Sequence, residues 1–181
     1  ERVSRHEPID RLFHWIMAVS VFALLITGIF PIIGLNFSWL TLHWVAGLVL
    51  TVVVAFHIVR SLFWQDLRSM WIAPSDLKEL SDASHKPGKY SLAQKSMHAA
   101  VAVLTLVVVA SGLVMFALID TPWWDRSNAL SEDMLGIVFL LHGLSTLALI
   151  ALICLHVYFG LRPEKLFYMR SMISGWISRD E

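Results

Sequence analysis

The stretch LHWVAGLVLTVVVAFHIVR, Leu42–Arg60, is apolar along nearly its whole length and yet contains two histidines, His43 and His57. A helix that crosses the hydrocarbon core of a membrane needs about 20 predominantly apolar residues, and this stretch has that length. Ionisable residues inside a membrane are costly to bury, so where they occur they usually mark a functional site. The stretch therefore predicts a membrane-spanning helix with two functional imidazoles.

The composition of the whole chain indicates a membrane protein. Of its 181 residues, 57% are hydrophobic and 15% are charged, whereas soluble domains carry about 25% charged residues. The length suits a single domain, which we expect to cover residues 1–181. The formal net charge is zero, so no nucleic-acid partner is predicted. The single cysteine, Cys154, excludes an intrachain disulfide and a cysteine-held cluster, so any cofactor must have other ligands.

Four apolar segments are long enough to span a membrane as helices. They are Leu12–Phe30, Thr41–Phe63, Ser96–Ile119 and Met134–Leu161. Thirteen of the fourteen Lys and Arg residues lie in the N-terminal arm, in the connection 60–95 or in the C-terminal tail. Because basic residues favour the cytoplasmic side, we predict an all-α, up-down four-helix membrane bundle with both termini in the cytoplasm.

The cytoplasmic connection, residues 64–95, mixes apolar and charged residues. Pro74 followed by Ser75 favours a helix start, and the Lys-Pro-Gly sequence at 86–88 favours a turn. We therefore expect a short interfacial helix in this connection, followed by a break in the chain direction.

In each of the four predicted spans, a histidine lies fourteen residues from a second histidine or from a glycine. Fourteen residues of α-helix rise about 21 Å and turn to about 40° short of four full turns, so residues at this spacing share one face at two depths. Two spans carry a histidine pair at this spacing, and the other two carry a histidine and a glycine. The four pairs are His43/His57, His142/His156, His14/Gly28 and His98/Gly112.

The antiparallel order of the spans sorts these residues into two layers. The outer layer holds Gly28, His43, Gly112 and His142, and the inner layer holds His14, His57, His98 and His156. A b-type haem needs one imidazole on each side of its iron and small residues where its edge meets neighbouring helices. In the outer layer, His43 and His142 are the two imidazoles. Gly28, Gly47 and Gly112 provide the room. We therefore predict two stacked b haems, and the inner layer leaves the choice of ligands open.

Four motifs give the chain a resemblance to a known family. They are RLFHW (Arg11–Trp15), LHWVAG (Leu42–Gly47), KYSLAQK (Lys89–Lys95) and the His142/His156 pair. In these motifs and their order, the sequence resembles the dihaem cytochrome b gamma subunits of respiratory formate dehydrogenases. It is more distantly similar to the membrane cytochromes b of nickel–iron hydrogenases and thiosulfate reductases, and to free-standing bacterial dihaem cytochromes b.

The resemblance implies specific haem ligands. It assigns His43 and His142 to the outer haem iron, in agreement with the register, and it assigns His14 and His156 to the inner haem iron. The residues alone would also allow His57 with His156 in the inner layer. We follow the resemblance for the ligands and expect His57 to border the inner haem.

The resemblance also implies a quinone site beside the inner haem, formed by the segment KYSLAQK. Relatives often carry Asn and Gly where this chain has Ser91 and Ala93, so the details of the site differ. Gln94 remains a candidate hydrogen-bond donor to a carbonyl of menaquinone or ubiquinone, with Ser91 and His98 nearby. An ordinary helix start with a capping serine would explain the same segment without a ligand.

Three functions fit these features. The first, which we predict, is an electron-transfer subunit that anchors a respiratory oxidoreductase in the membrane. It would carry electrons from a periplasmic iron–sulfur subunit, itself served by a catalytic subunit, through both haems to quinone. A higher oligomer of that complex is left open. The second is a free-standing cytochrome that oxidises quinol and passes electrons outward to a small acceptor. The third is a transporter that uses its histidines for protons or metal. The sequence of this chain does not show the interrupted spans typical of transporters.

Overall fold

The computed structural model describes residues 2–64, 67–81 and 90–178. In chain order, its helices and strands are β1 (Arg2–Ser4), α1 (Pro8–Ile29), α2 (Trp39–Trp64), α3 (Lys78–Ser81), α4 (Leu92–Phe116), α5 (Glu132–Leu161), α6 (Leu166–Ser174) and β2 (Trp176–Ser178). The helices α1, α2, α4 and α5 are each long and apolar enough to cross a membrane, which confirms the prediction of four spans.

All four spans begin earlier than predicted, and the two with the largest shifts, α1 and α4, each have a local start signal. Pro8 stands in the first turn of α1, where a missing N–H breaks no helical hydrogen bond. At the start of α4, the Ser91 hydroxyl accepts a hydrogen bond from the Gln94 N–H at 3.3 Å, and the Gln94 side-chain oxygen accepts one from the Ser91 N–H at 2.9 Å. This reciprocal capping arrangement satisfies two backbone donors, so α4 starts at Leu92 rather than at Ser96.

The fold divides into two compact units. The first contains the chain up to Ala55 and from Ile153 onward, and therefore includes α1, the first part of α2 and the end of α5. The second is Phe56–Leu152, which includes the end of α2, the connection, α4 and most of α5.

In the first unit, a two-stranded sheet joins the segment before α1 to the segment after α6. β1 and β2 are antiparallel, with Val3 opposite Ile177 at the centre of the pairing. Next to the sheet, Gly175 ends α6 in the left-handed conformation with φ of +89°, and its carbonyl accepts the Arg5 N–H at 2.9 Å. We call β1, Gly175 and β2 together the strand clasp. The strand clasp was not predicted from the sequence.

Side chains from α1 reinforce the strand clasp. The Arg11 guanidinium donates a hydrogen bond to the Ile173 carbonyl, and the Trp15 indole donates one to the Met172 carbonyl at 3.1 Å. These carbonyls belong to the last turn of α6, which has no further helical N–H groups to pair with them. The first turns of α1 and the last turn of α6 are therefore held together by hydrogen bonds as well as by the strand pairing.

In the second unit, the connection between α2 and α4 contains a very short helical segment. A 3-10 turn at Pro74–Leu77 leads directly into the single α-helical turn α3. The Lys95 ammonium forms an ion pair with the Asp76 carboxylate, with 2.8 Å between Nζ and Oδ2. The Leu92 N–H donates a hydrogen bond to the Glu79 carboxylate at 3.1 Å. We call these two contacts the connection latch. The predicted break at 86–88 lies outside the described residues.

Candidate functional site

His43 of α2 is held against α1 at a threonine–glycine step. The Thr27 hydroxyl lies 2.9 Å from Nδ1 of His43. The next residue, Gly28, faces the same imidazole, because a Cβ atom placed on Gly28 would lie 3.6 Å from Cε1 of His43. Gly28 therefore gives the His43 ring room to approach the α1 backbone. A Cβ atom placed on Gly47, one turn further along α2, would lie 3.9 Å from the Leu24 side chain, which is an ordinary contact.

His142 of α5 is held against α4 in the same way at a serine–glycine step. The Ser111 hydroxyl lies 3.0 Å from Nδ1 of His142. A Cβ atom placed on Gly112 would lie 3.7 Å from Nδ1 of this ring, an ordinary contact, but 3.3 Å from Cε1, which is tighter than nine in ten real Cβ contacts. The two histidines of the predicted outer layer thus have the same local surroundings, each within its own unit.

His14 of α1 and His156 of α5 lie together in the first unit. Their ring centroids are 6.4 Å apart, and the ring planes are inclined by 49°. Two imidazoles that bind one metal ion from opposite sides, with metal–nitrogen bonds of about 2 Å, have their centroids roughly 6 Å apart. Nδ1 of His14 is buried without a hydrogen-bond partner among the described residues. The separation and the unpartnered nitrogen both fit a haem iron held by this pair.

The other two histidines of the predicted inner layer lie in the second unit. Nε2 of His57 is 3.5 Å from the hydroxyl of Ser61, one turn further along α2, which is the outer limit of a hydrogen bond. His98 is exposed on α4 and lines a shallow cavity of about 400 Å³ with Met70, Trp71, Ile72 and Ala99.

The residues predicted to bind quinone are divided between two features at the start of α4. Ser91 and Gln94 form the capping arrangement described above, which uses the side-chain oxygen of Gln94 and leaves its amide N–H groups as donors. His98, one turn further on, opens onto the cavity. Lys95 lies between them and is directed to Asp76. The capping role expected of an ordinary helix start is therefore present, and the cavity beside His98 is an additional feature.

Sequence reasoning missed Thr27, Ser111 and the connection latch. Hydroxyl groups in membrane helices commonly bond to their own backbone, so Thr27 and Ser111 carried no signal as single residues. A signal was present in the register, since each hydroxyl directly precedes the glycine that lies fourteen residues after a histidine.

Comparison with known proteins gives two matches. The family model for prokaryotic cytochrome b561 matches residues 5–175 of this chain. The cytochrome b556 subunit of formate dehydrogenase from Haemophilus influenzae is 25% identical over 200 aligned positions, which cover 98% of this chain and 77% of that protein.

Proposed function

The chain belongs to the prokaryotic cytochrome b561 family, and from this premise we propose that it is the dihaem subunit that anchors a respiratory oxidoreductase in the bacterial inner membrane. The four apolar helices and the family membership support a membrane cytochrome b. We propose that residues 1–181 act as one four-helix domain, with both termini on the cytoplasmic side, where the basic residues concentrate.

The observation that carries this proposal is the pairing of His14 with His156. A centroid separation of 6.4 Å leaves the space of one iron atom between the rings. We propose that these two residues would hold the iron of the inner haem, and that His57 borders this haem. When bound, the haems would supply a chain of one-electron carriers between the two faces of the membrane.

For the outer haem, we propose His43 and His142 as the two residues that would hold the iron. The support is the common register of the four spans and the matching surroundings of the two rings, each seated on a hydroxyl–glycine step. Gly28 and Gly112 let each ring approach the neighbouring helix, and Gly47 is the small residue one turn beyond His43. Neither ligand is a thiolate, as the single exposed cysteine of the chain already required.

Quinone reduction on the cytoplasmic side completes the proposed path. A quinone needs hydrogen-bond donors at its carbonyls and a source of two protons. His98 at the cavity is the proposed proton-exchanging group, and the Gln94 amide is the proposed donor. Ser91 fixes the Gln94 side chain through the capping bonds and thereby orients that amide. Menaquinone and ubiquinone both satisfy this chemistry.

The proposed partners lie on the opposite face. The matched Haemophilus influenzae protein is named as a subunit of formate dehydrogenase, which supports a complex with an iron–sulfur subunit and a catalytic subunit. The residues between α1 and α2 and between α4 and α5 form short loops, and a donor would dock there. Electrons would then enter on the periplasmic side and leave to quinone on the cytoplasmic side.

The test is the haem content per polypeptide, measured by pyridine haemochrome on the purified protein. We expect two b haems in the unmodified protein and one in His14→Ala, with the same haem missing in reduced-minus-oxidised spectra of His156→Ala. His57→Ala is the matched control, since it removes an imidazole from the same predicted layer, and it should retain both haems.

Two results would contradict the proposal. Loss of a haem in His57→Ala but not in His14→Ala would move the inner ligand to α2. A purified protein without a Soret band would refute the cytochrome assignment for this chain altogether.

A further inference from the structure

Two hydroxyl groups hold the proposed outer ligands in one repeated arrangement. Thr27 and Ser111 are both buried, with 3% and 6% of their surface exposed. Each stands immediately before the glycine that faces the imidazole, and each oxygen approaches the Nδ1 atom rather than the ring edge. The arrangement occurs once in each unit, so the similar surroundings of His43 and His142 do not come from a neighbour that both residues share.

The positions of the hydroxyl protons follow from the helix backbone. Thr27 Oγ1 lies 2.7 Å from the Ala23 carbonyl, and Ser111 Oγ lies 2.7 Å from the Val107 carbonyl. A carbonyl oxygen can only accept, and a hydroxyl has one proton, so in both bonds the hydroxyl proton points to the backbone. The lone pairs of each hydroxyl are then directed to the histidine, and Nδ1 must be the donor.

Donation from Nδ1 fixes the state of the imidazole. A neutral histidine with its proton on Nδ1 has its lone pair on Nε2, where it can bind iron. An accepted hydrogen bond at Nδ1–H also raises the electron density of the ring and makes it a more basic ligand. A more basic axial ligand stabilises ferric over ferrous iron and lowers the reduction potential.

We propose that Thr27 and Ser111 are positioning residues for the outer haem. Each helps to fix the tautomer of one histidine that would hold the outer haem, and together they lower the midpoint potential of that haem relative to the inner one. This inference rests on the proposed function and deepens it, because a lower outer potential favours electron transfer from the periplasmic to the cytoplasmic side. His14 provides the contrast, since its Nδ1 has no hydrogen-bond partner among the described residues.

The test uses variants that remove the hydroxyl with little change of shape. Thr27→Val and Ser111→Ala remove it, Thr27→Ser retains it, and Thr51→Val is the matched control. Thr51 makes the same kind of bond, from its hydroxyl to the Gly47 carbonyl at 2.7 Å, at a position half-way between the histidines of α2. Each full-length protein is purified, its haem content is determined, and both b haems are titrated by optical redox potentiometry.

The inference predicts that one component of the titration, the lower-potential one, shifts to higher potential in Thr27→Val and in Ser111→Ala. The shift should be larger in the double variant, because both ligands belong to one iron. The other component should stay in place, and Thr27→Ser and Thr51→Val should titrate as the unmodified protein does. The low-temperature electron paramagnetic resonance signal of the same haem should change with the potential.

Three results would overturn the inference. The first is unchanged potentials in both hydroxyl-free variants with two haems retained. The second is an equal shift of both components, or a comparable shift in Thr51→Val, which indicates a general structural effect. The third is a shift of different components in Thr27→Val and Ser111→Ala, which separates His43 and His142. These results leave two haems in place and thus the proposed function intact, whereas a haem-free unmodified protein would refute both. If Thr27→Val loses haem, the potentials of both haems in Ser111→Ala provide the test of the inference.

Discussion

At the scale of single residues, Gly28 and Gly112 occupy equivalent positions in the register but leave different amounts of room. A Cβ atom would stand 3.6 Å from the His43 ring at Gly28 and 3.3 Å from the His142 ring at Gly112. The first distance is an ordinary contact, and the second requires the imidazole to move. Because an axial ligand has to keep its orientation, the two glycines should differ in how well they tolerate a methyl group.

We expect Gly112→Ala to lose outer haem and stability, and Gly28→Ala to lose little of either. Overpacking of a closely packed site costs about 1–3 kcal/mol, which exceeds the roughly 1 kcal/mol that alanine gains over glycine within a helix. Gly136→Ala is the control, since Gly136 lies in α5 with no atom within 4 Å of its added Cβ. Haem content and the thermal midpoint of the Soret band would measure the effect. Equal losses at Gly28 and Gly112 would contradict this ranking.

The histidine register could be predicted from the sequence, whereas the hydrogen bonds of the histidines could not. A spacing of fourteen residues depends on the geometry of one helix, so His43 and Gly28 could be assigned to a layer without knowledge of packing. The bond from His43 to Thr27 depends on the rotation and depth of two helices relative to each other. That information is not contained in the periodicity of either helix.

At the scale of the elements, the connection latch fastens the segment Pro74–Ser81 to the start of α4. The Lys95 and Asp76 side chains are only 11% and 13% exposed, so their ion pair is largely removed from water. Glu79 adds its carboxylate to the N-terminal end of the helix, where backbone N–H groups carry partial positive charge. The latch thereby covers the part of α4 that precedes His98.

We expect strong coupling between Lys95 and Asp76 in a double-mutant cycle of Lys95→Met and Asp76→Asn. Removal of one partner leaves the other charge largely buried without its ion-pair partner, so the two single variants together should lower the free energy of unfolding by more than the double variant does. The coupling free energy should be about 1–3 kcal/mol, measured by unfolding in mixed micelles.

The ion pair between Arg162 and Glu164 is the control for that cycle. It also joins a basic side chain to a carboxylate, but its side chains are 44% and 65% exposed, so water screens the interaction. A coupling no larger for Lys95 and Asp76 than for this exposed pair would show that the latch contributes little.

Among the elements, the spans were predictable and the pieces outside them were not. The apolar length of α2 and α5 exceeds what a membrane needs, so their existence follows from composition alone. The turn at Pro74 was indicated by its sequence, but its attachment to Lys95 involves residues that are distant along the chain. β1 and β2 have three residues each, too few for any alternation of apolar and polar residues to be recognised.

At the scale of the whole chain, the strand clasp joins the region before the first span to the region after the fourth. Gly175 is the glycine of the strand clasp, and neighbouring atoms approach it closely. A Cβ atom there would lie 3.1 Å from Cζ of Arg11 and 3.3 Å from the His6 carbonyl, and the backbone has a positive φ. Partial burial, followed by the charge of Arg5, lowers the pKa of His6 and so favours the neutral form of this residue beside Arg11.

We expect Gly175→Ala to open the strand clasp. An L-residue in the left-handed conformation costs about 1–2 kcal/mol, and the contact with the His6 backbone adds to that cost. Gly34→Ala is the matched control, because Gly34 has φ of +88° and no atom within 4 Å of an added Cβ. Hydrogen exchange at the N–H groups of β1 should accelerate in Gly175→Ala and stay unchanged in Gly34→Ala. Full protection in Gly175→Ala would show that the clasp does not depend on this glycine.

The strand clasp also sets an order of events during biosynthesis. β1 leaves the ribosome before any of the four spans, and its partner β2 is made only after all of them. Until then, Arg11 and Trp15 have neither of the α6 carbonyls that accept their hydrogen bonds, and His14 has no His156. The inner histidine pair is therefore absent from the nascent chain and arises only when α1 meets the end of α5. A haem proposed to bind this pair would therefore be loaded only after the fourth span has been made and inserted into the membrane.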